Sequence, residues 1–127
     1  MRVPKIIIHP SVLESADTPQ GKFIQLTWNN NETWVFSTKS VHRYHNHILE
    51  WFCNSEGIPC HWSTQETLEV KSDQVQVLGG GKYSASNGEI TLYDNSTAYG
   101  RFDSDRAEEK LGGSDHPWSG LQVRIKP

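Results

Sequence analysis

The sequence predicts one α+β domain with a largely antiparallel or mixed sheet. Three observations predict this class. The chain has 127 residues, the usual size of a single domain. Segments with strand-like alternation outnumber segments with helical periodicity, and most neighbouring strands are separated by short hairpin-like links. Residues 1–127 are therefore expected to form one domain.

Strands are predicted where β-branched or aromatic residues form short runs or alternate with polar ones, the period of a strand with one buried face. These segments are residues 6–8, 22–28, 33–37, 68–70, 75–78, 82–86, 89–94 and 121–125. The turn signals Asn29–Asn31 and Asn87-Gly88 predict hairpins. Gly79–Gly81 is typical of a bulge or sharp bend, and the alternative is a turn whose N–H groups face an anion beside Lys82.

Two segments have helical patterns. Apolar residues recur every three or four positions over about 41–54, which predicts an amphipathic helix with Ser40 as N-cap and an end near Gly57. Residues 103–111 are charged and compatible with a second helix that ends at Gly112-Gly113. Loops are predicted for residues 11–21 and 55–66.

Composition excludes several classes of function. Twelve Lys and Arg against fifteen Asp and Glu give a net charge of −3, which argues against a broad nucleic-acid surface but permits a local basic pocket. No apolar run approaches the length of a signal peptide or a membrane span. Cys53 and Cys60 are too few for a disulfide scaffold, so reduced thiols are expected, with one bridge as the alternative. The expected protein is soluble and cytoplasmic, with no nucleic-acid or membrane partner.

Histidines crowd the start of the first predicted helix. His42 and His45 are about one turn apart and could share a face, whereas His47 points elsewhere. A zinc site is one hypothesis, although the usual ligand spacings are missing; its further candidates are Cys53, Cys60 and His61. The other hypothesis uses His45 alone: a neutral imidazole takes a proton from water while the helix N-terminus favours an anion.

A second candidate segment, Ser96–Gly100, is a small hydroxyl-bearing turn directly after a predicted strand. Its hydroxyls and N–H groups could bind a phosphate or carboxylate, and the simpler interpretation is a connection to the last helix.

Taken in order, four segments resemble the protein phosphohistidine phosphatase (Janus/ocnus) family. They are Lys22-Phe23, Tyr44-His45-Asn46-His47-Ile48, Leu78-Gly79-Gly80-Gly81-Lys82 and Tyr93-x-x-Ser96-Thr97-Ala98-Tyr99-Gly100. The resemblance covers about Lys22 to Gly100, and its specificity comes from the ordered set rather than from any single motif.

The resemblance implies a mixed, mostly antiparallel sheet of about six strands flanked by two helices, an α/β sandwich-like form of the α+β class. It also implies a monomeric, metal-independent phosphatase that needs no cofactor and acts on a phosphohistidine-bearing protein. His45 matches the family's catalytic general base, and Lys22 matches the lysine that holds the phosphate. The remaining residues implied to bind the phosphoryl group are Asn46, Lys82, Ser96, Thr97 and Ala98.

Several positions depart from the family pattern. Ser37 and Lys82 stand where the family commonly has arginines, and Thr97 stands where Met is frequent. Loss of bidentate arginines weakens or redirects phosphate recognition, so the alternative function is a non-catalytic domain that binds phosphate or a phosphoprotein. The chain also carries an insertion of roughly a dozen residues within 54–74, which a loop would accommodate most easily.

Overall fold

Six strands form the central sheet in the computed structural model, which describes residues 4–13, 20–38, 41–42, 44–86, 88–113 and 116–127. The elements are β1 (Lys5–Ile8), α1 (Pro10–Leu13), β2 (Gln20–Trp28), β3 (Asn31–Thr38), α2 (His45–Glu56), β4 (Cys60–Trp62), β5 (Leu68–Val70), β6 (Val75–Ser86), β7 (Glu89–Tyr93), α3 (Ala107–Gly113) and β8 (Gln122–Ile125). The sheet order is β1-β3-β2-β6-β7-β8, and β4 and β5 form a separate two-stranded sheet. The outermost pairs, β1 with β3 and β7 with β8, are parallel and the inner pairs are antiparallel. The α+β class and the mixed six-stranded sheet are therefore confirmed.

Both faces of the sheet are covered by apolar side chains. Successive residues of a strand point to opposite faces, so Phe23 belongs to one buried cluster and Ile24 to the other. Helix α2 packs on the Ile24 face through Ile48 and Phe52, among other residues. Helix α3 packs on the Phe23 face through Leu111. The expected sandwich arrangement, with a helix on each face, is what the two clusters show.

The two predicted hairpins are present. Asn29 and Asn30 have φ angles of 52° and 66°, and Trp28 pairs with Asn31 across this two-residue turn. Positive φ at both central positions matches the twist of a hairpin, and Asn tolerates it better than most residues. The second hairpin joins β6 and β7 with Gly88 at φ 77°. Asn87 lies outside the described residues.

The first predicted helix starts later than its pattern suggests. The amides of Val41 and His42 donate to Thr38 O in a turn, so α2 begins at His45 rather than at 41. The predicted N-cap, Ser40, lies outside the described residues, and Tyr44 occupies the N-cap position. The predicted end is confirmed: Gly57 has φ 70° and its amide bonds back into the last turn.

Three other local predictions were wrong. The supposed loop 55–66 contains β4, and the supposed loop 11–21 begins within α1, although residues 14–19 lie outside the described residues. Helix α3 begins at Ala107, not at 103, and it includes the two glycines expected to end it. In the described part of the chain, no helix has both the length and the apolar character needed to cross a membrane.

Candidate functional site

A cleft of about 940 Å³ opens on the face of the sheet that carries α2. Its floor comes from β2 and β6, one side from the start of α2, and the remaining sides from the turn after β7 and from residues 65–68. All seven residues predicted for the site line this cleft: Lys22, His45, Asn46, Lys82, Ser96, Thr97 and Ala98. The structure brings them together, whereas their roles remain predictions.

His45 is the first residue of α2 and is 6% exposed. Its Nε2 lies 2.9 Å from Gly81 O. A carbonyl oxygen only accepts, so Nε2 carries the proton and donates it to this bond. In the neutral ring the lone pair is then on Nδ1, on the edge of the imidazole away from the glycine strand. The tautomer is thus set by the strand, and Nδ1 is the atom able to accept a proton.

Gly80 allows the imidazole to lie against the strand. A Cβ at this position would be 2.7 Å from His45 Cδ2 and 2.9 Å from Phe23 O. Gly79 and Gly81 face the opposite side of the sheet, where other residues pack equally closely. A Cβ on Gly81 would lie 2.7 Å from the Phe102 ring. Close packing on both faces therefore explains why glycine is needed three times in succession.

The glycine run does not form the anion-binding turn considered from the sequence. Gly80 pairs with Ile24 within the ladder, and its amide donates to Gly100 O. The irregularity that the sequence suggested is a register shift opposite Gln25 and Leu26, which leaves Leu78 unpaired with β2. The strand therefore continues through the glycines, and its bulge precedes them.

Burial, the largest effect, lowers the pKa of His45 below its usual value. The nearby ammonium groups of Lys22 and Lys82 act in the same direction, while the bond to Gly81 O and the charge of Asp94 oppose them. The imidazole is therefore neutral at physiological pH, the protonation state that a general base requires.

Two ammonium-bearing side chains lie side by side on the cleft floor. Lys22 on β2 is the direct cross-strand partner of Lys82 on β6. Like charges in this arrangement repel each other, and an anion bound between them would relieve that repulsion. Lys22 Nζ lies 5.6 Å from the Tyr44 ring centroid, and Lys82 Nζ lies 3.0 Å from a carboxylate oxygen of Asp94. Neither Tyr44 nor Asp94 was predicted from the sequence to be a site residue.

Backbone amides complete the polar surface of the cleft. Among the described residues, the amides of His45 and Asn46 have no acceptor, as expected for the first turn of a helix. The same holds, within those residues, for Thr97 and Ala98. The Ser96 amide instead donates to Gly100 O at 3.0 Å, so this N–H group holds the turn together, and a role of Ser96 in phosphate binding stays a prediction.

The segment 54–74, which the resemblance predicts to be an insertion, supplies one side of the cleft. It contains β4 and β5, and the segment joining them contributes Glu66 and its neighbours to the lining. Side-chain bonds attach it to α2: Asn46 Nδ2 donates to Glu66 O at 3.0 Å, Trp62 Nε1 donates to Glu50 Oε2 at 2.6 Å, and Cys60 Sγ donates to Asn54 Oδ1 at 3.9 Å. The side-chain Nδ2 of Asn46 thus attaches this segment to the helix, and the backbone N–H of Asn46 is the group left for a ligand.

Ser37, which the resemblance predicts to stand at an arginine position of the phosphohistidine phosphatase family, lies beside Lys22 on the neighbouring strand but does not line the cleft. It is 0% exposed, and its Oγ lies 2.5 Å from His42 Nδ1. The ring of His42 in turn packs edge-on against that of His9, with centroids 4.9 Å apart. The space that an arginine would need is therefore filled by these side chains.

The residues of the zinc hypothesis do not come together. His42 contacts Ser37, whereas His45 is bonded to Gly81. Both cysteines are free thiols, and burial raises the pKa of Cys53 to about 12, which disfavours the thiolate that binds metal. Among the described residues, no three His, Cys, Asp or Glu side chains are grouped as metal ligands.

No model of a known protein family matches this chain, and no curated protein matches it. The chemistry must therefore be inferred from the cleft itself. It combines a neutral imidazole, two ammonium groups and several open amides. Such a set can bind a tetrahedral oxyanion and remove a proton from a nucleophile placed beside it.

Proposed function

We propose that the protein is a cytoplasmic, metal-independent phosphatase that hydrolyses phosphohistidine in a protein substrate. The observation that carries the proposal is the bond from His45 Nε2 to Gly81 O, which leaves Nδ1 as a proton acceptor in a cleft whose floor holds Lys22 and Lys82. The family resemblance of the sequence supports the same chemistry.

In the proposed reaction, water attacks the phosphorus atom and the P–N bond breaks. His45 Nδ1 takes a proton from the water, and the substrate imidazole, already protonated on its other ring nitrogen, leaves as a neutral ring with the electron pair of the P–N bond. His45 then releases its proton to solvent, so that histidine and inorganic phosphate are formed and the neutral base is restored. Lys22 and Lys82 offset the phosphoryl charge, and the amides of Asn46, Thr97 and Ala98 bind its oxygens. Positioning and charge stabilisation suffice because a protonated imidazole is a good leaving group.

Replacement of His45 tests the proposal. General-base catalysis contributes roughly 10²–10⁴-fold to a rate, so His45→Ala should lower kcat by about that factor. The wild type should release phosphate from phosphohistidine in the presence of a metal chelator. His61→Ala is the matched control, since this histidine on β4 is exposed and outside the cleft lining.

Retained activity in His45→Ala, with far-UV circular dichroism unchanged, would reject the role of His45. Absence of turnover in the wild type would reject the enzymatic proposal altogether.

The second candidate is a non-catalytic domain that binds a phosphorylated partner. The ion pair between Lys82 and Asp94 favours it, and so does a neutral, buried Ser37 at a position where the resemblance implies an arginine, because both leave less positive charge for a substrate. Phosphate-dependent chemical-shift changes at Gly79–Lys82 without any turnover would support this candidate, and clear turnover would exclude it.

A further inference from the structure

Asp94 is placed in the cleft by an unusual backbone conformation. It directly follows β7 with φ 64°, a left-handed value that costs an aspartate energy and that glycine adopts freely. Three contacts hold it: its carbonyl accepts from Arg101 Nη1 at 3.1 Å, Oδ1 accepts from the Asn95 amide at 2.9 Å, and Oδ2 meets Lys82 Nζ at 3.0 Å. The carboxylate is therefore held on one of the two lysines of the cleft floor.

This contact changes the charge that a ligand meets. Lys22 and Lys82 together would present two positive charges to a phosphoryl group, but Asp94 offsets one of them. A phosphate dianion that reaches Lys82 also comes close to Asp94, and the two anions repel each other. A ligand that carries an N–H group beside its phosphoryl group can instead donate to the carboxylate.

We propose that Asp94 sets the selectivity of the cleft for phosphoramidates over bare phosphate dianions. This inference rests on the proposed function and narrows its substrate class to a phosphoryl group on a nitrogen base that still carries an N–H. The protonated ring of phosphohistidine is such a base. Asp94 accepts a hydrogen bond from that N–H and takes no proton, while Lys82 turns to the phosphoryl oxygens.

Asp94→Asn removes the charge with little change in shape. Asn tolerates the left-handed conformation, and its Oδ1 can still accept from the Asn95 amide. Glu108→Gln is the matched control, because it changes the net charge equally from α3, on the opposite face of the sheet.

Calorimetric titration with inorganic phosphate at low ionic strength measures the affinity of the cleft for phosphate, which the repulsion from Asp94 should lower. One unit charge at a few ångströms in a partly solvated site changes affinity by about tenfold, so Asp94→Asn should bind phosphate about tenfold more tightly. Glu108→Gln should match the wild type. Equal or weaker phosphate binding by Asp94→Asn would overturn the inference, whether or not the protein is an enzyme.

Turnover gives the second arm of the test. The ratio of kcat/KM for phosphohistidine to kcat/KM for an aryl phosphate ester should fall about tenfold in Asp94→Asn, because the aryl ester offers no N–H to the carboxylate. Turnover with an unchanged ratio would overturn the inference and leave the proposed function standing. Tighter phosphate binding without any turnover would reject the proposed function and still support the electrostatic role of Asp94.

Discussion

Gly80→Ala should displace the imidazole of His45 from the strand that orients it. The added Cβ would lie 2.7 Å from His45 Cδ2 and 2.9 Å from Phe23 O. Neither neighbour yields easily, since His45 is buried and Phe23 O belongs to the backbone of the adjacent strand β2. The bond from His45 to Gly81 O should be lost or lengthened as a result.

The expected cost follows from two contributions. Overpacking a buried position costs about 1–3 kcal/mol, and a lost hydrogen bond adds about 1 kcal/mol. Gly80→Ala should therefore lower the free energy of unfolding by about 2–4 kcal/mol, or Tm by roughly 10 °C for a chain of this size. Urea denaturation followed by tryptophan fluorescence measures the difference. The control is Gly112→Ala, where the nearest atom to a new Cβ is Ser119 O at 3.9 Å.

A double-mutant cycle separates the steric clash from other effects. In a His45→Ala background the imidazole is gone and only the contact with Phe23 O remains, so Gly80→Ala should cost less than in the wild type. We expect a coupling energy of about 1 kcal/mol or more, because the two side chains share one space. Additive effects within about 0.5 kcal/mol, or a Gly80→Ala variant as stable as the wild type, would refute this geometry.

Three further predictions concern stability. Burial lowers the pKa of His45 in the folded protein, so the unfolded chain binds a proton at a higher pH than the folded one does. The free energy of unfolding should therefore fall as pH drops below about 6.5. Urea unfolding at two pH values should show a smaller fall for His45→Gln than for the wild type. Tyr83→Phe removes the buried bond to Ser37 O and should cost about 1–2 kcal/mol in thermal unfolding, with an unchanged Tm as the contrary result. Trp62→Phe removes the bond to Glu50 and should speed hydrogen exchange in residues 60–70; equal protection would contradict it.

Local patterns accounted for most of the strands and for the end of α2. Alternation and turn residues act over a few positions, so the Asn29-Asn30 turn and the αL glycine Gly57 could be identified without the rest of the chain. The start of α2 could not, because the preceding turn is fixed by bonds to Thr38 O at the end of β3. Strand β4 was missed since three residues carry too little periodicity to be distinguished from a loop.

The candidate site was predicted in membership but not in detail. The ordered motifs indicated Lys22, His45 and Lys82, and these residues do line one cleft. The hydrogen bond from the Ser96 amide to Gly100 O depends on how the turn closes. The position of the Asp94 side chain depends on the positive φ angle of this residue. The sequence offered one local signal for Asp94, a carboxylate directly after a strand and before the small-residue turn, and this pattern is too common to identify a site residue.

The sequence by itself determined the α+β class, the hairpins and which chemical groups the chain offers. Only the tertiary structure decided which atom of His45 can accept a proton, because the bond that sets the tautomer joins residues 36 positions apart. It also decided that Lys22 and Lys82 are direct neighbours and that Asp94 offsets one of them. The physical reason is that periodicity reports the burial of one face, whereas protonation and charge balance depend on contacts between distant parts of the chain.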